Sequence, residues 1–193
     1  MADTKERIMK TALRLFAESG FSGTSMNDIA TELGITKGAL YKHYSGKQDI
    51  LDSIVKRMEK NDCEGAEKYG MPNGDCQDKT PLESIYEYSV AQFKYWTEDE
   101  FASDFRKMLT LEQYRLPEFN NLYHAYLATG PVNYMADIFK LLTGSDDEAM
   151  QAALDFYGPM FLLYSVYDGT DDKDMPLQHL KNHIEKFIKQ NNL

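Results

Sequence analysis

Lys37, Lys42 and Lys47 fall within the segment 36–47, interleaved with Tyr41, His43 and Tyr44 and with no carboxylate among them. Ammonium groups grouped in this way concentrate positive potential, and the chemistry they suit is the capture of phosphate. Lysines on a solvated helix face serve solubility equally well, so the cluster alone leaves both readings open. The deciding feature is the element that carries it.

Ser25 and Asp28 have the spacing of a capping box, and Met26, Ile29, Ala30 and Leu33 recur on one helical face. Gly34 then stops that helix, Ile35 folds back over its last turn, and Thr36 caps a second helix beginning at Lys37. Helix, turn, helix is the layout of an element that enters a DNA groove, and in that setting the lysines read as phosphate contacts. Upstream, Ile8, Ala12, Leu13, Leu15 and Phe16 form the face of a first helix that Gly20 ends, with Phe21 packing back on it. Downstream, Ser45 and Gln48 offer a capping box for a helix running to about Tyr69, with Ile50, Leu51, Ile54, Val55 and Met58 on one side. That helix is the expected mechanical link.

The whole chain of 193 residues carries a net charge of −10, which argues against a polyanionic partner until its distribution is considered. Residues 1–60 hold ten Lys or Arg against eight Asp or Glu, while residues 61–193 hold eleven against 23. Charge is segregated. No apolar run reaches the roughly 18 residues of a membrane span, and the polar MADTKER start carries no secretory signal, so the expectation is a cytoplasmic protein. Reduced thiols are then the default for Cys63 and Cys76, although a redox-sensing pair across the turn-rich stretch is conceivable. Two cysteines without a nearby histidine make a poor zinc site, and no metal or other cofactor is implied. An enzyme is not expected either, since metal-spaced His/Glu motifs, a phosphate loop and a nucleophile elbow are all missing. His124, His179 and His183 are isolated along the chain, and surface roles suffice for them.

Beyond residue 70 the period stays helical. GMPNGDCQDK, residues 70–79, reads as a loop. Thr80, Pro81 and Glu83 then predict an N-cap, a first helical proline and a capping acid, with Leu82, Ile85, Ser89, Phe93 and Trp96 on the apolar face. Further helices are predicted at 100–116, 118–128 and 132–143. Ser145 caps a long one in which Pro159 is expected to introduce a kink, and Pro176 opens the last. The fold class is all-α, with nine or ten helices.

GFSGTSMNDIATELGITKGALYKHYSGKQDIL, residues 20–51, resembles the N-terminal domain of the TetR family of transcriptional regulators. The resemblance covers about the first 60 residues: the glycine after helix one, Asp28-Ile29-Ala30, Gly34, the block Lys37 to Tyr41, and His43-Tyr44. It implies a helix-turn-helix DNA-binding domain over 1–47, linked through helix 47–69 to a larger effector-binding and dimerisation domain over 48–193. It also implies that Thr36, Lys37, Tyr41, Lys42 and His43 face the major groove or its phosphates and that Gly38 lets the backbone approach the duplex. Ala39 has only a methyl to offer a thymine. Lys47 would meet a phosphate, helped by Thr24 or Ser25. For Tyr41 core packing remains an alternative, and His43 serves as phosphate donor or base reader alike. Tyr44 belongs with Leu40 in the small core.

Residues 83–170 contain 18 of the 24 aromatic residues. Helix core is one reading, but the number of tyrosine hydroxyls needing partners favours a pocket with polar handles. Candidates are Trp96, Phe105, Met108, Tyr123, Tyr126, Tyr134, Phe161 and Tyr164. The resemblance further implies a homodimer through helices at about 147–167 and 176–190, binding a palindromic operator. The expected function is that of a repressor released from DNA by a small apolar or aromatic molecule, with the carboxylate surplus tolerating cations. The alternatives are a constitutive DNA-binding protein without effector and, from another class, a helical enzyme.

Overall fold

Ten helices and no strand occupy the described residues, 2–72 and 80–190, of the computed structural model. They are α1 (Ala2–Ser19), α2 (Met26–Glu32), α3 (Lys37–Tyr41), α4 (Lys47–Lys68), α5 (Leu82–Glu98), α6 (Glu100–Glu112), α7 (Pro117–Leu127), α8 (Thr129–Thr143), α9 (Asp146–Gly169) and α10 (Asp174–Gln190). Cys76 and most of the expected 70–79 loop lie outside the described residues; Cys63 is exposed, with a free thiol. Among the described residues, no helix is long and apolar enough to cross a membrane.

Local chemistry sets most boundaries. Ser25 and Asp28 form a complete capping box at the start of α2, each side chain bonding the other's backbone N–H at 3.2 and 2.8 Å. At the other end Gly34, at φ 67°, allows the Ile35 N–H to reach the Ala30 carbonyl at 3.0 Å and the Gly34 N–H to reach that of Thr31. Ser145 caps α9 through the Glu148 N–H at 3.3 Å, and that helix continues through Pro159 to Gly169. Two expected starts differ. Helix α4 begins at Lys47, so the residue placed to reach back is Asp49, which takes the Ser45 N–H at 2.8 Å, and Gln48 bonds Asp52 and Glu118 instead. Pro81 has ψ 136°, which puts it at the cap of α5 rather than inside its first turn, and Thr80 makes no capping bond. Helix α6 ends at Glu112, four residues before the expected 116, and α8 begins at Thr129, ahead of Pro131, whose missing N–H is not needed in a first turn.

Packing groups the chain into two compact units, Met1–Asn61 with Glu100–Tyr123, and Asp62–Asp99 with His124–Leu193. This grouping by contact is distinct from the division by role at residue 47. In the first unit, Ile8, Ala12, Leu13 and Phe16 of α1 are buried with Met26, Ile29 and Ala30 of α2, Leu40 of α3, and Ile50, Leu51, Ile54 and Met58 of α4. Phe101, Phe105, Met108 and Leu109 of α6 complete that core, and Leu15 and Val55 stay half-buried. In the second unit, Phe139, Phe156 and Phe187 join α8, α9 and α10 through ring centroids 5.1–5.5 Å apart. His183 is not a surface residue, since its ring nitrogen meets the Phe156 carbonyl at 2.9 Å and the side chain is half-buried.

One polar contact ties the first unit together. Glu112 is completely buried, and its Oε1 accepts the Phe21 N–H at 3.0 Å and an Arg115 N–H at 3.2 Å. It fits because residue 20 is glycine: a Cβ there would stand 2.3 Å from that oxygen, and φ is +80°. Gly20→Ala is therefore expected to destabilise the protein by roughly 1–3 kcal/mol, measured by chemical denaturation; an unchanged midpoint would show that Glu112 yields freely.

Candidate nucleic-acid interface

The turn before α2 and the short helix α3 face each other across an open groove of about 440 Å³. Its walls are Ser22 to Asn27 on one side, Lys37 and Tyr41 on the other, with Gly46 and Lys47 at the end. Helix α3 is held by its one buried residue, Leu40, and by Thr36, whose hydroxyl accepts the Ala39 N–H at 3.1 Å. Anchored in that way, it leaves Thr36, Lys37, Gly38, Tyr41 and Lys42 exposed and Ala39 and His43 half-buried.

Tyr41 is 46% exposed, and the Lys37 ammonium lies 5.8 Å from its ring centre, so both project from the same face one turn apart. Tyr44 is buried, with its ring 5.3 Å from the Lys5 ammonium. The cations of the unit are not treated alike. On α1, Lys10 pairs with Glu6, and Arg14 with Glu18 and Glu32; on α4, Arg57 reaches Glu6. Among the described residues no carboxylate meets Lys37 or Lys42.

Lys47 is partly committed. Its ammonium donates to the Phe21 carbonyl at 2.6 Å and sits 4.6 Å from the centre of the Phe21 ring. Burial lowers its pKa, against the opposing charges of Glu112 and Asp28. Thr24 corrects an expectation: it is 3% exposed, and its hydroxyl points at the Gly20 and Leu15 carbonyls, at 2.9 and 3.2 Å. Such a hydroxyl braces the turn and is not offered at the surface. Ser25 is exposed, but its hydroxyl is engaged with Asp28, whose own pKa is lowered by those Ser25 hydrogen bonds.

The residues expected to line an effector pocket fall into both units. Phe105 and Met108 are fully buried in the core of the first, where Tyr123 is half-buried. In the second, Trp96 and Tyr126 approach edge to face at 6.4 Å, and Tyr164 stacks on Phe93 at 5.4 Å. Tyr134 donates to the Pro72 carbonyl at 3.0 Å. Phe161 is turned outward on α9, 39% exposed, so it joins a surface face. Sequence reasoning missed Glu112. Its one signal was position, because it continues the buried face of Phe105, Met108 and Leu109 at helical spacing.

The model of the family described as bacterial regulatory proteins, tetR family, matches residues 8–54, which contain α2, α3 and all of the groove wall. A relative in Bacillus subtilis, the uncharacterized HTH-type transcriptional regulator YerO, is 38% identical over 97 residues, 49% of this chain and 32% of that one. The matched stretches span about a third or less of the first curated relatives' own lengths. Over nearly the whole chain the fold is that of solved structures. A TetR-like transcriptional regulator from Rhodococcus sp. RHA1 aligns with a TM-score of 0.72 at 17% identity, covering 98% of this chain and 97% of that one. The SmeT–triclosan complex aligns with a TM-score of 0.68 at 19% identity, covering 97% and 91%. The N-terminal segment, which carries the helix-turn-helix, is thus similar in sequence to the tetR family of bacterial regulatory proteins.

Proposed function

We propose that this protein is a sequence-specific transcriptional regulator that binds duplex DNA as a homodimer and releases it when a small molecule occupies the helical remainder of the chain. The observation that carries the reading is the surface of α3. Lys37, Tyr41 and Lys42 project together, with no carboxylate beside the two lysines among the described residues, while neighbouring cations are neutralised by acids. An uncompensated pair of lysines on an otherwise acidic molecule has its best partner in phosphate. Thr36, Gly38, Ala39 and His43 complete the face that would enter the major groove, with Lys47 and Ser25 at its edge.

Pairing is supported by α9. Met150, Leu154, Phe161 and Leu162 are 38, 49, 39 and 63% exposed, and they lie on one side of the helix around Gly158. An apolar stripe of that length is what a second copy would cover in a four-helix contact with α10. Two copies would present their α3 helices to successive major-groove faces about 34 Å apart. Repression, with an aromatic or apolar effector, is the mode adopted. Among the neighbours, IcaR of Staphylococcus aureus is named a negative regulator, and SmeT is seen in complex with triclosan.

Gel shift or anisotropy on the DNA flanking the gene, which should contain an inverted repeat, tests the reading directly. Lys37→Ala and Lys42→Ala are each expected to weaken binding to every sequence and to reduce the log–log salt slope by about 0.9 for each phosphate that the lysine had neutralised. Variants that bind with the parental slope would remove α3 from the interface. Leu154→Glu together with Leu162→Glu should yield monomers by sedimentation and abolish tight operator binding; a dimer that persists would move the subunit contact elsewhere. Effector control requires a change in operator affinity of roughly 5-fold to 150-fold on ligand binding.

A further inference from the structure

Asp62, in the second half of α4, belongs to the second compact unit and has an unusual environment there. Burial alone raises its pKa from the ordinary 3.8 to about 7, and no cation or hydrogen-bond donor meets it among the described residues. Its charge is felt by Tyr88 of α5, a phenol whose pKa is raised first by burial and then by Asp62. One turn further along α5, Gln92 donates from Nε2 to the Tyr88 hydroxyl at 2.8 Å, which leaves that hydroxyl's own hydrogen free to donate. The other end of the same amide is unsatisfied: Gln92 Oε1 is buried with no hydrogen-bond partner. Gly65, three residues after Asp62, lies beside this amide, where even a Cβ would stand at an ordinary contact distance of 3.8 Å from Gln92 Nε2. Tyr88 also bridges two other rings, Tyr69 of the α4 end at 6.3 Å and Tyr134 of α8 at 6.4 Å.

A half-buried carboxylate without a counterion and a buried amide oxygen without a donor are costly alone. Both are acceptors, and one kind of ligand satisfies both: a cation carrying several N–H groups. Tyrosine faces add to its attraction, because the ring quadrupole draws cations. We propose that Asp62, Tyr88 and Gln92 are the polar end of the effector site, and that the effector is an organic ammonium or amidinium ion whose N–H groups bond Asp62 and Gln92 Oε1 while its apolar body lies among Tyr69, Tyr88 and Tyr134. The proposal rests on the effector-responsive reading and narrows it from apolar molecules in general to cations.

Benzamidinium, neutral benzamide and anionic benzoate have nearly one shape and three charges. Titrated into the full-length protein by calorimetry, benzamidinium is expected to bind about 10- to 100-fold tighter than benzamide, the range for hydrogen bonds to a charged partner, and benzoate weakest. Asp62→Asn should erase that preference. Because the variant removes a carboxylate ionised against its surroundings, it should also unfold at a higher temperature at pH 8, and this gain should shrink as pH falls from about 7 toward 3.8, where the wild-type group protonates. Equal affinities in the wild type, no saturable binding by any of the three, or a preference that survives Asp62→Asn each overturns the proposal. Selective binding of benzamidinium with unchanged operator affinity would uphold the site and sink the regulatory reading. Release of operator by benzamide as effectively as by benzamidinium would do the reverse.

Discussion

The backbone of Phe21 is gripped at both its N–H and its carbonyl. Its N–H is taken by the buried Glu112 of α6, and its carbonyl accepts the Lys47 ammonium at the start of α4. A carboxylate with no solvent contact costs several kcal/mol unless its oxygens are bonded, and Glu112 has only one oxygen satisfied, since Oε2 has no hydrogen-bond partner. The two bonds to Oε1 therefore hold the group in place with little freedom to slide. Because Phe21 begins the turn that forms one wall of the groove, α6, that turn and the first residue of α4 are one mechanical object. A displacement of α6 within the first unit cannot leave the groove wall behind without stranding a buried charge. The edge-to-face contact of Phe16 with Phe21, at 5.0 Å, and the Phe21–Phe119 contact, at 5.1 Å, stiffen the same joint with apolar surface.

Charge placement around this joint follows a consistent rule. Helices α2 and α4 are capped with the help of aspartates, Asp28 and Asp49, while α3 is capped by the neutral hydroxyl of Thr36. Threonine caps a helix somewhat less well than aspartate, so capping strength is not what favours it here. They differ in the negative charge, which at residue 36 would sit beside Lys37 and cancel the field the exposed face presents. Glu18 of α1 and Glu32 of α2 are spent on Arg14, Glu6 on Lys10 and Arg57, and Asp28 on the Ser25 cap, so these acids are occupied. With the surplus of acid concentrated after residue 60, this leaves the α3 face as a local exception in a chain of net charge −10.

The features readable from the sequence are those whose causes lie close together along the chain, within a turn or two of helix. Ser25 with Asp28, Gly34 with Ile35, Thr36 with Ala39 and Ser145 with Glu148 are legible because caps and glycine stops act within a turn. Shifts of one residue at Asp49 and Pro81 arise where neighbouring side chains offer the same chemistry and only backbone geometry selects between them. Glu112 and His183 were not legible in their roles, since each is decided by an N–H or a carbonyl 91 or 27 residues away, and Thr24 was not because its role depends on an irregular turn that aims its hydroxyl back at the Leu15 and Gly20 carbonyls. The same reason hides the return of α6 to the first unit, which no local period announces. Asp62 was visible only as one carboxylate in an acidic chain, because its isolation depends on what α5 packs against it.

The small size of α3 bears on why pairing matters. Five residues give one and a half turns, and Leu40 is spent on anchoring. What remains is Lys37, Gly38, Ala39 and Tyr41, with Thr36, Lys42 and His43 at the flanks, a surface that in the proposed complex would reach only a few base pairs. Single good base contacts discriminate by about 1–3 kcal/mol each, too little for one copy of such a face to find a unique site among many. On the proposed pairing, a second copy joined through α9 would turn the next half-site encounter into an intramolecular event, with a gain from effective concentration of about 10²–10⁴ without any new contact. On this reading, control acts on spacing as much as on contact. A ligand need not disturb Lys37 or Tyr41 at all if it changes the distance at which two intact α3 faces are presented, because the duplex fixes that distance at one helical turn.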